Sequence, residues 1–150
     1  MRKTLFLRKI AKELIDMDPE NLKELLQGYL TDTKYDWNYI LPTDLYKLVK
    51  KGTPHDLFII DLRKPEDFAK GHIKGAVNIF WLDIIKNLNK LPIDKKIVLY
   101  CYVGHTSSQV LVLLKLLGYE VLSLKFGLGI SPVKGIPIAG WVNYGYELET

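Results

Sequence analysis

The residue of this chain best suited to covalent chemistry is Cys101, the one cysteine among its 150 residues. It follows the apolar run 96–100 (Lys-Ile-Val-Leu-Tyr), which is typical of a buried strand, and it precedes Gly104 and the hydroxyl residues 106–108. Glycine lets a loop curl without a steric penalty, and hydroxyl side chains cap helices and donate hydrogen bonds to anions. This order of residues predicts a tight strand-to-helix loop that carries the sulfur.

A thiol in that position is expected to be an ionised nucleophile. The thiolate is the reactive form of cysteine, and placement at a helix N-terminus lowers its pKa from about 8.5 to roughly 3.5–7.5. We therefore expect Cys101 to be presented to solvent within a ring of backbone N–H groups and to react near neutral pH. The alternative interpretation is that Cys101 is only a small residue of the hydrophobic core at the end of a strand.

A single cysteine also excludes other kinds of site. It cannot form an internal disulfide, so the chain is not a disulfide scaffold. Together with His55, His72 and His105 it does not provide the ligand spacing of a zinc site. We expect no metal and no cofactor.

The elements that must position Cys101 alternate between strand and helix. Apolar runs predict strands at 57–62, 76–79, 96–100 and 120–124. Helices are predicted at 43–49 (capped by Thr43 and stopped by Gly52), 65–70, 81–88, 107–117 and near Trp141. This alternation indicates right-handed crossovers and an α/β fold, with helices on both faces of a mostly parallel sheet. Ligands of such sheets bind beyond the carboxyl ends of the strands, where Cys101 stands.

The N-terminal part of the chain has a different pattern. Residues 3–30 have helical apolar spacing, and Asp18 followed by Pro19 predicts the cap and first turn of a second helix. The polar stretch 31–36 is expected to be a linker. We therefore divide the chain into an N-terminal helical extension at 1–36 and a main domain at 37–150.

The overall composition favours a soluble protein that binds small molecules. The net charge is +4, yet the chain has no run of five basic residues, so we expect no nucleic acid as a partner. No apolar run reaches the roughly 18 residues of a membrane span, so no membrane is expected. Arg8 and Lys9 interrupt the only signal-like stretch, which predicts a cytoplasmic location unless a leader was trimmed. A homo-oligomer is left open.

Two motifs carry a family resemblance. The segment 101–107 (Cys-Tyr-Val-Gly-His-Thr-Ser) resembles the active-site loop of rhodanese-like sulfurtransferases, Cys-x-x-Gly-x-Arg/Ser/Thr-Ser. Residues 60–79 resemble the first signature of that family, and Gly145 with Tyr146 matches its usual close. The resemblance covers about residues 37–150 and implies the rhodanese-like three-layer α/β/α fold.

The resemblance implies a two-step sulfur relay. Cys101 would take the outer sulfur of a small anionic donor such as thiosulfate, and cyanide or a thiol would then accept it from the persulfide. Substrate-binding roles are implied for the loop and for one charged neighbour: Tyr102, Val103, Gly104, His105, Thr106, Ser107 and Arg63. Structural support is implied for Asp61, Glu66 and His72, although Arg63 by its charge is the better placed of the strand-end pair to meet an anion.

One departure and two alternatives accompany this assignment. Thr106 stands where many family members have Arg, so turnover of thiosulfate is less secure and a persulfide or polysulfide donor becomes an option. A non-catalytic or persulfide-sensing module of the same fold is one alternative. A phosphatase or arsenate reductase is the less favoured one, because its loop is one residue longer and ends in an arginine that this loop lacks.

Overall fold

A computed structural model of the chain describes residues 18–35, 38–131, 134–135 and 138–150. The chain divides into two compact units, Met1–Trp37 and Asn38–Thr150. The helix predicted before Asp18, the first of the two within residues 3–30, lies outside the described residues. No helix in the described part of the chain is both long and apolar enough to cross a membrane.

The described part of the first unit is a single helix, α1 (Pro19–Tyr35). Its start follows the prediction, since Asp18 Oδ1 accepts a hydrogen bond from the Glu20 N–H at 3.1 Å. The linker predicted at 31–36 is wrong, because α1 continues to Tyr35. The Thr31 hydroxyl donates to the Gln27 carbonyl one turn earlier at 2.9 Å, which satisfies this polar side chain within the helix.

The second unit is built on a parallel sheet of five strands. They are β1 (Tyr39–Ile40), β2 (Leu57–Asp61), β3 (Val77–Asn78), β4 (Lys96–Tyr100) and β5 (Val121–Leu124). Their order across the sheet is β1-β5-β4-β2-β3, and every pair is parallel. The site-bearing strand β4 is therefore central, with β5 and β2 as its neighbours.

Helices cover both faces of this sheet. They are α2 (Pro42–Lys50), α3 (Pro65–Ala69) and α4 (His105–Leu116), together with 3-10 stretches at Trp81–Asp83, Ile85–Lys90 and Trp141–Tyr144. Alternate side chains of the central strands enter two separate apolar cores, one with α4 and the first 3-10 segments and the other with α2 and Trp141. The predicted three-layer α/β fold is confirmed.

Several element boundaries differ from the sequence predictions. Helix α2 begins at Pro42 with Leu41 as its N-cap, so Thr43 does not cap it. Proline fits the first helical position because its φ is preset and its missing N–H would have no helical partner. The helix predicted at 81–88 is two 3-10 stretches, and Asn87 within the second one has non-helical angles (φ −111°, ψ 20°). The two-residue strand β1 was not predicted.

The helix after Cys101 begins two residues earlier than predicted. Gly104 adopts a left-handed conformation (φ 94°) as the N-cap of α4, and His105 is the first helical residue. A left-handed turn is accessible to glycine at little cost, which shortens the loop to 101–104. The first turn of α4 therefore lies close behind the cysteine.

Candidate active site

Cys101 occupies the first position after β4, at the carboxyl edge of the sheet. Its sulfur accepts a hydrogen bond from the Gly104 N–H at 3.2 Å and lies 3.5 Å from the Ser107 Oγ. The residue is only 2% exposed, which corrects the expectation of a sulfur presented to solvent. The short loop and the early start of α4 bring the helix over the sulfur and account for this burial.

Opposing influences act on the ionisation of this thiol. Burial is the largest single influence and disfavours the thiolate, because a charge loses hydration in the protein interior. Hydrogen bonds from the side chains of Ser107 and Thr106 and from the loop backbone at Ser107 and Val103 stabilise the thiolate. Together they outweigh burial, so the pKa of Cys101 is lowered. The hydrogen-bond donors expected from the sequence thus surround a sulfur that is buried.

The hydroxyl groups around the loop differ in what they contact. Ser107 is fully buried, and its Oγ accepts a hydrogen bond from the Ser123 hydroxyl on β5 at 2.9 Å. The Ser108 hydroxyl donates to the Gly104 carbonyl at 2.7 Å, so it bonds to the loop backbone. Ser123 was missed in the sequence analysis. The available signal was a single polar residue within the apolar run 121–124, which marks a side chain that must find a partner inside the core.

Residues 126–129, which follow β5, form a brace that packs against the backbone of the cysteine loop. The sequence analysis did not predict this contact. The Leu128 N–H donates to the Cys101 carbonyl at 2.9 Å, and the Gly129 N–H donates to the Tyr102 carbonyl at 2.9 Å. A Cβ on Gly127 would lie 2.7 Å from the Cys101 carbonyl oxygen, so only glycine fits there. Phe126 beside it has a positive φ of 63°, which is unusual for a bulky residue. The backbone at this edge is therefore tightly packed against the loop.

Asp61 and Arg63 form a buried ion pair at the end of β2. The Arg63 Nη2 lies 2.7 Å from Asp61 Oδ2, and the same nitrogen donates to the Gly71 carbonyl at 2.8 Å. Burial opposes the guanidinium charge, but the hydrogen bond and charge of Asp61 outweigh it and raise the pKa of Arg63. These contacts tie Arg63 to the strand end. Its predicted contact with substrate has no support in this geometry.

Tyr102 links the cysteine loop to that ion pair and to α3. The Arg63 guanidinium lies 5.8 Å from the Tyr102 ring centroid, within the range of a cation–π contact. The Tyr102 hydroxyl donates to Asp67, and hydrogen bonds from Lys70 and then from Tyr102 lower the pKa of Asp67. Asp67 was missed in the sequence analysis. Its neighbour Glu66, predicted as support, is exposed, and its side chain forms no hydrogen bond or ion pair with any described residue.

The remaining predicted residues lie at different depths. His72 stacks on Phe68 with ring centroids 3.7 Å apart, and its Nδ1 lies 3.1 Å from the Phe68 carbonyl. These contacts hold the turn between α3 and β3, which is the position a support role requires. Val103 and Thr106 are half-buried, whereas His105 is exposed on the first turn of α4. The loop therefore combines a buried sulfur with neighbouring residues that are partly exposed.

Comparison with known proteins identifies the family. The rhodanese-like domain model matches residues 41–129, so the chain belongs to the rhodanese-like domain family. It is 30% identical over 131 residues to a tRNA sulfurtransferase of Pyrobaculum aerophilum, covering 81% of this chain and 27% of that relative's length. It is 32% identical over 84 residues to a sulfurtransferase of Allochromatium vinosum, covering 55% of this chain and 78% of the relative.

A solved structure supports the fold independently. The crystal structure of a rhodanese-related protein from Thermoplasma volcanium superposes with a TM-score of 0.61 and 23% identity, covering 75% of this chain and 97% of that one. The Pyrobaculum and Allochromatium relatives are both named sulfurtransferases. The chain spans only about a quarter of the length of the Pyrobaculum relative.

Proposed function

We propose that this protein is a sulfurtransferase that carries a sulfane sulfur as a persulfide on Cys101. The observation that carries the proposal is the position of the Cys101 sulfur, 3.2 Å from the Gly104 N–H and 3.5 Å from the Ser107 hydroxyl. Donors aimed at a sulfur stabilise the thiolate before attack and a negatively charged persulfide after it. A phosphatase is less compatible, because the loop has no arginine to bind a phosphoryl dianion in bidentate fashion.

The proposed reaction has two balanced steps. The Cys101 thiolate attacks the outer sulfur of thiosulfate, a new S–S bond forms, and the S–S bond of the donor breaks as sulfite leaves with the electron pair. A nucleophilic acceptor, cyanide or a thiolate, then attacks the outer sulfur of the persulfide and returns Cys101 as the thiolate. The lowered pKa of Cys101 increases the fraction of the thiol that is ionised, and the thiolate is the nucleophilic form.

The side chains of the loop favour a donor that has no sulfonate group. The sulfonate end of thiosulfate calls for a charged or bidentate partner, and Thr106 offers only one hydroxyl. The guanidinium of Arg63 is engaged by Asp61 and Gly71. We therefore propose that persulfide or polysulfide donors load Cys101 faster than thiosulfate does.

A donor panel tests the function and the donor class together. The full chain is incubated with thiosulfate, glutathione persulfide or inorganic polysulfide, and intact mass spectrometry follows the gain of one sulfur atom with time. We expect a gain that a reductant reverses, with loading by the two persulfide-type donors about ten times faster than by thiosulfate. This factor corresponds to about 1.4 kcal/mol, slightly less than one hydrogen bond to a charged group.

The panel also includes outcomes that would contradict the proposal. No sulfur adduct from any donor would leave a non-catalytic rhodanese-like module. Hydrolysis of an aryl phosphate in place of sulfur uptake would point to the phosphatase alternative. Thiosulfate loading as fast as polysulfide loading would reject the proposed donor class and leave the sulfurtransferase function standing.

A further inference from the structure

We propose that Ser123 is a positioning residue that acts on Cys101 through Ser107. It would hold the Ser107 hydroxyl so that its proton points at the Cys101 sulfur. The inference rests on the proposed function only in taking Cys101 as the reacting residue. Neither of the two sequence motifs includes Ser123, which lies 16 residues beyond Ser107 on a different element.

The three side chains form a buried chain of polar atoms across three elements. Ser123 on β5 is hydrogen-bonded to Ser107 on α4 at 2.9 Å, and Ser107 lies 3.5 Å from the sulfur of Cys101 after β4. Both serines are fully buried and the cysteine nearly so. Water therefore cannot easily replace either hydroxyl as a donor, and each depends on its protein neighbour.

The position of Ser123 is fixed by the sheet. Its Cα is in register with Leu99 on β4 and Tyr39 on β1, and its N–H donates to the Asn38 carbonyl at 3.0 Å. Ser123 is thus held on both sides by neighbouring strands. A hydroxyl anchored in this way loses little freedom when it donates to Ser107, so the orientation of Ser107 is set before any sulfur donor arrives.

The number of hydroxyl protons available on Ser107 and Ser123 explains why their hydrogen-bonded arrangement favours the thiolate of Cys101. Ser123 donates to Ser107, which leaves the proton of Ser107 to be donated to the sulfur. With a thiolate each hydroxyl donates once, and the charge receives a hydrogen bond. With a thiol the S–H would instead donate to an oxygen that already accepts from Ser123, and the proton of Ser107 would lose the sulfur as its acceptor. Ser123 therefore biases the pair towards the charged form of Cys101.

Charged neighbours do not provide this bias directly. The surrounding elements carry His105 on α4, Tyr102 in the loop, Tyr39 on β1, Lys125 after β5 and the Asp61–Arg63 pair after β2. Among the described residues, no charged side chain is hydrogen-bonded to the sulfur, which lies within hydrogen-bond distance of the Gly104 N–H and the Ser107 hydroxyl. The neutral hydroxyl chain is thus the contact through which β5 can influence the thiol.

The test is the pH profile of alkylation of the single cysteine by iodoacetamide in the full chain. In Ser123→Ala we expect the midpoint to rise by about 0.5–1 pH unit, which below the midpoint is a threefold to tenfold lower alkylation rate. Ser123→Thr retains the hydroxyl and is expected to keep the midpoint near that of the wild type. Thermal unfolding of each variant shows whether it is folded at the assay temperature.

A double-mutant cycle shows whether Ser123 acts through Ser107. Ser107→Ala is expected to raise the midpoint at least as much as Ser123→Ala, and adding Ser123→Ala to it is expected to change nothing further. An unchanged alkylation profile in folded Ser123→Ala would overturn the inference. The inference would also be overturned if Ser123→Ala raised the midpoint as much in the Ser107→Ala background as it does in the wild type. These readouts need no sulfur donor. If no donor loads sulfur onto Cys101 but Ser123→Ala still raises the alkylation midpoint, the proposed function is rejected and the role of Ser123 stands.

Discussion

Replacing Cys101 with serine is expected to abolish sulfur uptake and sulfur transfer completely. A serine hydroxyl is not ionised near neutral pH and cannot form a persulfide, and the chain contains no second cysteine that could replace it. Intact mass spectrometry after exposure to polysulfide should show the gain of one sulfur atom in the wild type and none in Cys101→Ser. Thiocyanate production from cyanide should fall to the uncatalysed rate.

The serine variant is also a stringent control on folding. Serine is close to cysteine in size, and the site already contains the buried donors Gly104 N–H and Ser107 Oγ that a hydroxyl can meet. We expect its thermal unfolding temperature to lie within a few degrees of the wild-type value. Sulfur uptake by a folded Cys101→Ser protein would mean that the reacting atom is not this sulfur.

Neutralising Asp61 is expected to produce the largest loss of stability from a single side chain. Asp61 is fully buried and Arg63 is 3% exposed, so Asp61→Asn would leave a guanidinium charge inside the protein without its counter-ion. Removing one partner of a buried pair typically costs about 3–5 kcal/mol. Urea unfolding followed by circular dichroism measures this change in the free energy of unfolding.

An exposed ion pair provides the matched control. Asp83 and Lys86 lie 2.9 Å apart, with side chains 46% and 78% exposed. Because water screens such a pair, Asp83→Asn is expected to cost less than about 1 kcal/mol. If the two Asp→Asn substitutions lowered the free energy of unfolding by the same amount, the Asp61–Arg63 pair would not be what holds the strand end together.

The layered fold could be predicted because its strongest signals are local. The runs 57–62 and 96–100 are apolar on both faces, which is typical of central parallel strands, and both became strands. The strand β1 lacks such a signal, since two residues are too few to show a period and Tyr39 is exposed. The 3-10 geometry of 81–90 depends on packing against the sheet, which apolar spacing alone does not show.

The site was predictable only as far as it is continuous in sequence. The loop 101–107 could be identified because its residues are neighbours, and Gly104 marks its turn. The brace at 126–129 and the hydroxyl of Ser123 reach the loop across more than 15 residues, and nothing in the local sequence pairs them with Cys101. The burial of the sulfur was missed for the same reason, since it follows from where α4 begins.

The central claim is that Cys101 is a thiolate at a pH where an ordinary cysteine is still protonated. Because the chain has one cysteine, the ultraviolet absorbance of the thiolate, taken as wild type minus Cys101→Ser, titrates this group alone. The reactive form appears as pH rises through the pKa, and a lowered pKa moves that rise to lower pH. We predict a midpoint clearly below the ordinary thiol value of about 8.5. A midpoint at or above that value would contradict the account.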